Sequence, residues 1–272
     1  MLRAAKAFKS LKLRANDGDI GKAKEFYFDD KFWTVRYLVA DTGGWLSGRL
    51  VLISPHALGT ANEAELVLPV ELTKKQIEEC PLLASHQPVS RQYEAQYFGY
   101  FNWPTYWNGP YSWGMIPPMD TRSRYLEIAK NAHNNENVRH ENAWDPNLRS
   151  TSDVTGHVIQ AQDGEIGHVE DFIIDDETWA IRYLVVDTRK WWSGKSVLIA
   201  PQWIERVSWK ESKVFLNLSC ETIKETPEYI PESLNRDYET ILHRHYNRQG
   251  YWDDELAAYN TWAATNKEHI RK

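Results

Sequence analysis

The chain repeats itself. Residues 16–55 (NDGDIGKAKEFYFDDKFWTVRYLVADTGGWLSGRLVLISP) align without a gap on residues 162–201 (QDGEIGHVEDFIIDDETWAIRYLVVDTRKWWSGKSVLIAP) at an offset of 146, and 21 of the 40 positions are identical. The same offset carries Val70, Leu72, Thr73, Ile77 and Pro81 onto Leu216, Leu218, Ser219, Ile223 and Pro227. After a one-residue slip, Arg91, Tyr93, Glu94, Asn102, Tyr106 and Trp107 match Arg236, Tyr238, Glu239, Asn247, Tyr251 and Trp252. The duplication implies that the chain is built twice from one unit. The repeat predicts two homologous domains, 1–96 and 150–232. An aromatic Pro/Gly segment and polar linker over 97–149 separate them, and C-terminal helices follow over 233–272.

Within each copy the pattern is that of β-structure. Asp17-Gly18 and Asp163-Gly164 lie between alternating segments, a hairpin signal. Strands are predicted over 11–15, 20–28, 33–41, 50–53 and 66–72, and over 166–174, 179–187, 197–199 and 213–218 in the second copy. Thr73 and Ser219 should each cap a short helix that ends before Pro81 or Pro227. Many short strands without β-α alternation predict a mainly β molecule of two small antiparallel barrels, since closure removes exposed edges. Residues 1–14 are basic and free of acids, but no apolar stretch or small-residue cleavage site follows. They read as the start of the first copy and not as a leader.

The joint run D-G-x-I-G, R-Y-L-V-x-D-T, W-x-S-G and V-L-I-x-P stands at Asp17–Gly21, Arg36–Thr42, Trp45–Gly48 and Val51–Pro55. It recurs at Asp163–Gly167, Arg182–Thr188, Trp191–Gly194 and Val197–Pro201. In these residues each copy resembles the PRC-barrel family, the module shared by the photosynthetic reaction-centre H subunit and the ribosome-maturation factor RimM. The resemblance covers about seventy residues per copy and implies a tandem of PRC-type barrels with short flanking helices. For function it implies two readings, a redox or electron-transfer accessory like the H subunit or a ribosome- or RNA-maturation accessory like RimM, beside the scaffold or interaction module that a β framework without a catalytic set suggests.

Charge and composition narrow these. With 32 Lys+Arg against 38 Asp+Glu, a net charge of −6, the chain lacks the basic field of a nucleic-acid binder. No apolar run approaches the ~20 residues of a membrane helix, so a cytoplasmic location is expected. Cys80 and Cys220 cannot form a disulfide framework or a zinc site. No phosphate loop, dinucleotide fingerprint, nucleophile elbow or H-E-x-x-H motif is present. Ser47-Gly48-Arg49 and Ser193-Gly194-Lys195 read as plain turns in preference to phosphate contacts. Asp29-Asp30 and Asp175-Asp176 read as solvated hairpin tips with ordinary acidity, and Asp41 and Asp187 as turn caps. His243 and His245, two apart on a predicted helix, diverge and make no metal pair. A proton-path role like that of the H subunit would run through His168, Glu170 and Asp171. No enzyme activity, cofactor or metal is expected.

Aromatic residues are the surplus. Trp33, Tyr37, Trp179 and Tyr183 alternate in strands and read as core. Residues 97–119 hold nine aromatics, four prolines and three glycines. The prolines bar a regular helix across that segment. It reads either as packing between domains or as a docking surface for a protein partner or a second copy. The candidate contact residues are Trp103, Tyr106, Trp107, Tyr111 and Trp113, with Trp45, Trp191 and Trp192 at the Gly/Ser turns. Tyr238, Ile241, Leu242, His245 and Tyr246 form the apolar stripe of a predicted C-terminal helix. The function expected is a non-enzymatic scaffold that self-associates or assists assembly of a larger complex.

Overall fold

The long strand after each Asp-Gly turn sets the architecture. In the computed structural model, which describes residues 1–62, 64–81, 89–103, 105–106, 148–189 and 194–257, the first copy contains strands β1 (Leu2–Ala4), β2 (Lys12–Ala15), β3 (Gly18–Asp29), β4 (Thr34–Asp41), β5 (Leu50–Ile53) and β6 (Val67–Pro69). Its helices are α1 (Ala5–Phe8), α2 (Lys74–Glu79) and α3 (Arg91–Phe101). The second copy runs through β7 (Leu148–Ser150), α4 (Thr151–Val154), β8 (Val158–Ala161), β9 (Gly164–Asp175), β10 (Ile181–Asp187), β11 (Ser196–Ile199), β12 (Ile204–Ser208) and β13 (Lys213–Leu216). It ends with α5 (Cys220–Lys224), α6 (Arg236–His245) and a helical stretch at 251–257.

The hairpins and caps follow the sequence signals closely. β2 and β3 meet at Asp17-Gly18, and Asp17 Oδ1 accepts from the Lys74 amide at 2.8 Å, so the turn residue also holds the start of α2. Asp163 does the same for α5 through the Cys220 amide at 2.7 Å. Thr73 and Gln76 form a capping box, and Ser219 accepts from the Thr222 amide. The second glycine of the D-G-x-I-G motif is required by contact. A Cβ on Gly21, at φ +129°, would stand 2.0 Å from the Asp41 carbonyl oxygen, and one on Gly167 would stand 2.3 Å from that of Asp187. The two long strands of each copy press together at these points.

The sheets are mixed, not purely antiparallel. β2 pairs parallel with β6 and β8 parallel with β13, while the other ladders are antiparallel. Strand order is β5-β4-β3-β2-β6 in one sheet and β11-β10-β9-β8-β13-β12 in the other. Among the described residues no ladder joins the ends of either sheet, so the expected closed antiparallel barrels are instead open, curved sheets. The physical reason lies after β5 and β11. Pro55 and Pro201 have no N–H to donate and start 3₁₀ turns that carry the chain off the sheet edge. Bulges break the β3–β4 register at Ala23/Glu25 and Tyr27/Phe28 and the β9–β10 register at Ile181/Tyr183 and Val185/Val186.

The copies exchange their first residues. β1 of the first copy pairs with β9 of the second, Leu2 opposite Asp175 and Ala4 opposite Ile173. β7 of the second pairs with β3 of the first, Leu148 opposite Asp29 and Ser150 opposite Tyr27. Every residue in one ladder is the offset-146 counterpart of one in the other. Between the ladders, the Val35 amide donates to the Trp179 carbonyl at 2.8 Å and the Ile181 amide to the Trp33 carbonyl at 2.7 Å, again a symmetric pair. Trp33 and Trp179 precede their strands and do not alternate within them. Both adopt left-handed backbone, φ 51° and 58°, at a cost of about 1–2 kcal/mol each. One continuous core, including Phe8, Phe26 and Phe28 from one copy and Phe172 and Trp179 from the other, fills the joint. Phe28 and Phe172 rings lie 5.8 Å apart there.

Helix α3 covers the outer face of the first sheet. It packs Tyr97 and Phe98 against Tyr37, Val39 and Leu52, so β4 is buried on both faces. The 97–119 segment therefore starts inside a helix, which ends at Asn102 in left-handed backbone before Pro104. Helix α6 takes the equivalent place in the second copy.

Candidate functional site

Under each outer helix lies the same buried polar cluster. On β4, the Tyr37 hydroxyl donates to Glu94 Oε1 on α3 at 2.9 Å, and the Tyr106 hydroxyl donates to the same oxygen at 2.6 Å. Arg36, one residue before Tyr37, lies 4.2 Å from the Tyr106 ring centroid and 3.7 Å from Asp29. In the second copy Tyr183 on β10 and Tyr251 place their hydroxyls 2.9 and 3.0 Å from Glu239 Oε1 on α6. Arg182 lies 4.0 Å from the Tyr251 ring and 2.9 Å from Asp175. Glu94 and Glu239 are 0 % and 2 % exposed, and burial raises the Glu239 carboxyl above the usual range despite its hydroxyl and arginine neighbours. A buried carboxyl needs hydrogen-bond partners around it, and the paired tyrosines supply them.

The copies differ at one point of this cluster. Phe98 on α3 gives way to His243 on α6. His243 Nε2 stands 2.9 Å from the Tyr183 hydroxyl, and its Nδ1 stands 2.9 Å from the Gln249 carbonyl. Burial pulls its pKa down.

The acid pairs correct the solvated-tip expectation. Asp29, Asp175 and Asp176 are buried. Asp30 meets Arg149 at 3.0 Å, and Asp176 meets Arg3 at 3.6 Å, each arginine coming from the exchanged arm of the other copy. Burial pushes Asp30 up to about 6 against the pull of Arg149. Burial opposes the ionised form of Asp175 too, but Arg182 and Thr178 outweigh it and hold the carboxyl below its usual value. The paired aspartates are therefore anchors for the arms.

Most other candidates also serve the fold. Asp41 and Asp187 accept from the Gly43 and Arg189 amides at 2.9 Å each, as turn caps should. Arg189 holds Asp187 down to about 2. The bases after the Ser-Gly turns finish helices: Arg49 donates to the Glu78 and Cys80 carbonyls, and Lys195 to those of Lys224 and Thr226. Asp171 accepts from the Lys6 amide at the start of the first arm's helix and from the Phe172 amide, and Glu170 faces Lys6 at 3.4 Å. His168 lies 3.8 Å from Asp187. His245 bonds the Thr222 carbonyl at 2.8 Å, apart from His243. Both cysteines are free thiols. Among the described residues no group of three or more His, Cys, Asp or Glu side chains could hold a metal.

The aromatic candidates divide. Tyr106 is buried in the Glu94 cluster. Trp103 stacks on Phe101 at 4.4 Å and sits 5.5 Å from the His56 ring, half-buried. Trp45, also half-buried, lies under Lys74 Nζ at 5.4 Å. Trp107, Tyr111, Trp113, Trp191 and Trp192 lie outside the described residues. The cluster residues Arg36, Glu94, Arg182 and Glu239 escaped the site reading. The signal was present, since Arg36 matches Arg182, Glu94 matches Glu239 and Tyr106 matches Tyr251 in the repeat, but no local motif joins strand, helix and following turn.

A family model described as PRC-barrel domain matches residues 152–217, within the second copy. No curated protein matches the chain. No helix among the described residues is long and apolar enough to cross a membrane.

Proposed function

We propose that the chain is a non-enzymatic scaffold: a duplicated PRC-barrel module that presents two related faces of one rigid body to a protein partner or to a second copy of itself. The observation that carries this reading is the reciprocal exchange of β1 and β7, which joins the copies about a pseudo-two-fold axis as subunits of a dimer are joined. The family match covers the second copy. The first repeats it at 21 of 40 aligned positions, which supports reading both as the same module. The buried acids, tyrosines and arginines of both copies have internal partners, as expected of a framework. In this reading Trp45 and Trp103 keep a face for a partner, and Trp107, Tyr111, Trp113, Trp191 and Trp192 are further contact candidates. A cytoplasmic location, consistent with two free thiols, belongs to the same proposal. The electron-transfer and ribosome-maturation readings draw on family likeness alone. The His168–Asp171 run that the former needs is engaged with the first arm and the Asp187 turn.

The test is the native mass of the tagged full chain, first in an extract of its own host and then purified, by light scattering. The scaffold reading expects a species well above 31.8 kDa in at least one of the two. A 31.8 kDa monomer in both would overturn it.

A further inference from the structure

Hydrogen-bond accounting in the second copy leaves one proton to place. The Tyr183 hydroxyl has a single hydrogen and stands 2.9 Å from two groups, Glu239 Oε1 and His243 Nε2. On the far side of the imidazole, Nδ1 faces the Gln249 carbonyl at 2.9 Å. A carbonyl only accepts, so Nδ1 carries the hydrogen, and Nε2 of a neutral His243 is an acceptor. If Glu239 were ionised beside a neutral His243, Tyr183 would face two acceptors with one hydrogen. One buried 2.9 Å contact would then be lone pair against lone pair. The deficit vanishes when the site holds one more proton.

We infer that this cluster is a buried proton-transfer site, with Glu239 kept as a neutral acid in a directional chain from Tyr251 through Glu239 and Tyr183 to His243 and the Gln249 carbonyl. In that chain Tyr251 donates, and the Glu239 acid hydroxyl and the Tyr183 hydroxyl each donate once and accept once. The transfer it permits balances without any other reagent. The Glu239 Oε1–H bond breaks as its proton passes to the Tyr183 oxygen, and the Tyr183 proton forms a new bond to His243 Nε2. The products are a carboxylate and an imidazolium, with the net charge unchanged. Loss of the proton to solvent leaves Tyr183 short of one hydrogen, which loosens α6 from β10, so the site makes that docking pH-sensitive.

The surroundings favour the neutral form. Burial raises the Glu239 carboxyl and lowers the His243 imidazole, and the rings of Trp203 and Trp252 lie 5.1 and 5.0 Å from His243. The charged and titratable neighbours are Arg236 on the same helix, Tyr251 and Asp253 from the following stretch, and Tyr183 and Arg182 on β10. Arg182 is held by Asp175 at 2.9 Å and Glu255 at 2.7 Å. Arg236 lies 3.0 Å from Glu239 Oε2 and pulls the carboxyl towards ionisation, but burial opposes it and sets the net direction upward. The first copy supplies the contrast. With Phe98 at the His243 position, the Tyr37 and Tyr106 hydroxyls both donate to Glu94, and the phenyl ring offers Tyr37 no acceptor nitrogen.

Two spectroscopic readouts on the full chain at pH 7 test this. Infrared difference spectra between the wild type and Glu239→Gln should show a protonated-carboxyl band present only in the wild type. The nitrogen-15 spectrum should show His243 protonated at Nδ1 alone. His243→Phe, which rebuilds the first copy's arrangement, should abolish the acid band, because the Tyr183 hydrogen returns to Glu239. No acid band assignable to Glu239, or a His243 protonated on both nitrogens, would overturn the proposal. Should neither variant fold, the carbon-13 carboxyl shifts of the wild-type glutamates decide: none in the neutral-acid range at pH 7 would overturn the proposal.

Discussion

Asp30 shows how much of this molecule depends on groups far away in sequence. Two adjacent aspartates at a hairpin tip carry every local sign of a solvated turn. What buries Asp30 is Arg149, 119 residues on, and what buries Asp176 is Arg3. No window of local sequence holds that information, so the solvated reading was the natural one and the structure reverses it. The reversal has a measurable sign. Burial raises Asp30 from 3.8 to about 6, so the folded protein holds this proton more tightly than the unfolded chain. The associated stability is complete below about pH 4 and is lost as pH rises through about 6. Denaturant unfolding from pH 4 to 7 should show the wild type losing stability relative to Asp30→Asn over that interval and no further above it. A constant difference across the range would refute the assignment. Tyr37→Phe removes a hydroxyl that donates to the buried Glu94 carboxyl and should cost about 1–3 kcal/mol at neutral pH, read from the same unfolding curves.

Elements were far more legible, wherever the signal was local. The Asp-Gly turns, the Thr73 and Ser219 caps and the strand at Leu50–Ile53 fall where the residues place them, because each depends on neighbours a few positions away. Helix α6 is the instructive mixed case. Of the expected stripe Tyr238, Ile241, Leu242, His245 and Tyr246, Leu242 and Tyr246 are buried, but Ile241 is 54 % exposed, and Glu239 and His243 join the buried face. Periodicity counts apolar side chains as inward. This helix buries an acid and an imidazole because tyrosine hydroxyls from β10 and residue 251 satisfy them. The close approach of the paired long strands gives the element-scale prediction. Gly21→Ala puts a Cβ 2.0 Å from the Asp41 carbonyl oxygen, whereas a Cβ on Gly44 meets nothing within 4 Å. Thermal unfolding should place Gly21→Ala several degrees below the wild type, about 2 kcal/mol or more of lost stability, and Gly44→Ala within about 0.5 kcal/mol of it.

At the scale of the whole molecule, the duplication was plain in the sequence, and the way the copies join was not. Residues 2–4 and 148–150 share only Leu and Arg at the same offset, too little to mark them as exchanged arms, and the choice between separate beads and a joined pair rests on long-range pairing that no periodicity encodes. The structure joins them through two ladders, a symmetric pair of hydrogen bonds between Trp33–Val35 and Trp179–Ile181, and a shared core. Phe8 is the test residue of that joint. It belongs to the first arm, is fully buried, and meets Phe26 at 5.2 Å and Trp179 of the other copy at 5.7 Å. Phe8→Ala should cost about 3–5 kcal/mol, and because the core is shared, the loss should fall on both copies together.

That coupling is what a rigid two-faced scaffold requires, and amide hydrogen exchange measures it most directly. With the full chain held in rising denaturant, peptides from β3 (Gly18–Asp29) and β9 (Gly164–Asp175) should lose protection in one step, and Phe8→Ala should move both by the same amount. If β9 keeps its protection after β3 has lost it, or if Phe8→Ala lowers the first copy alone, the copies are independent domains and the single two-fold body is contradicted.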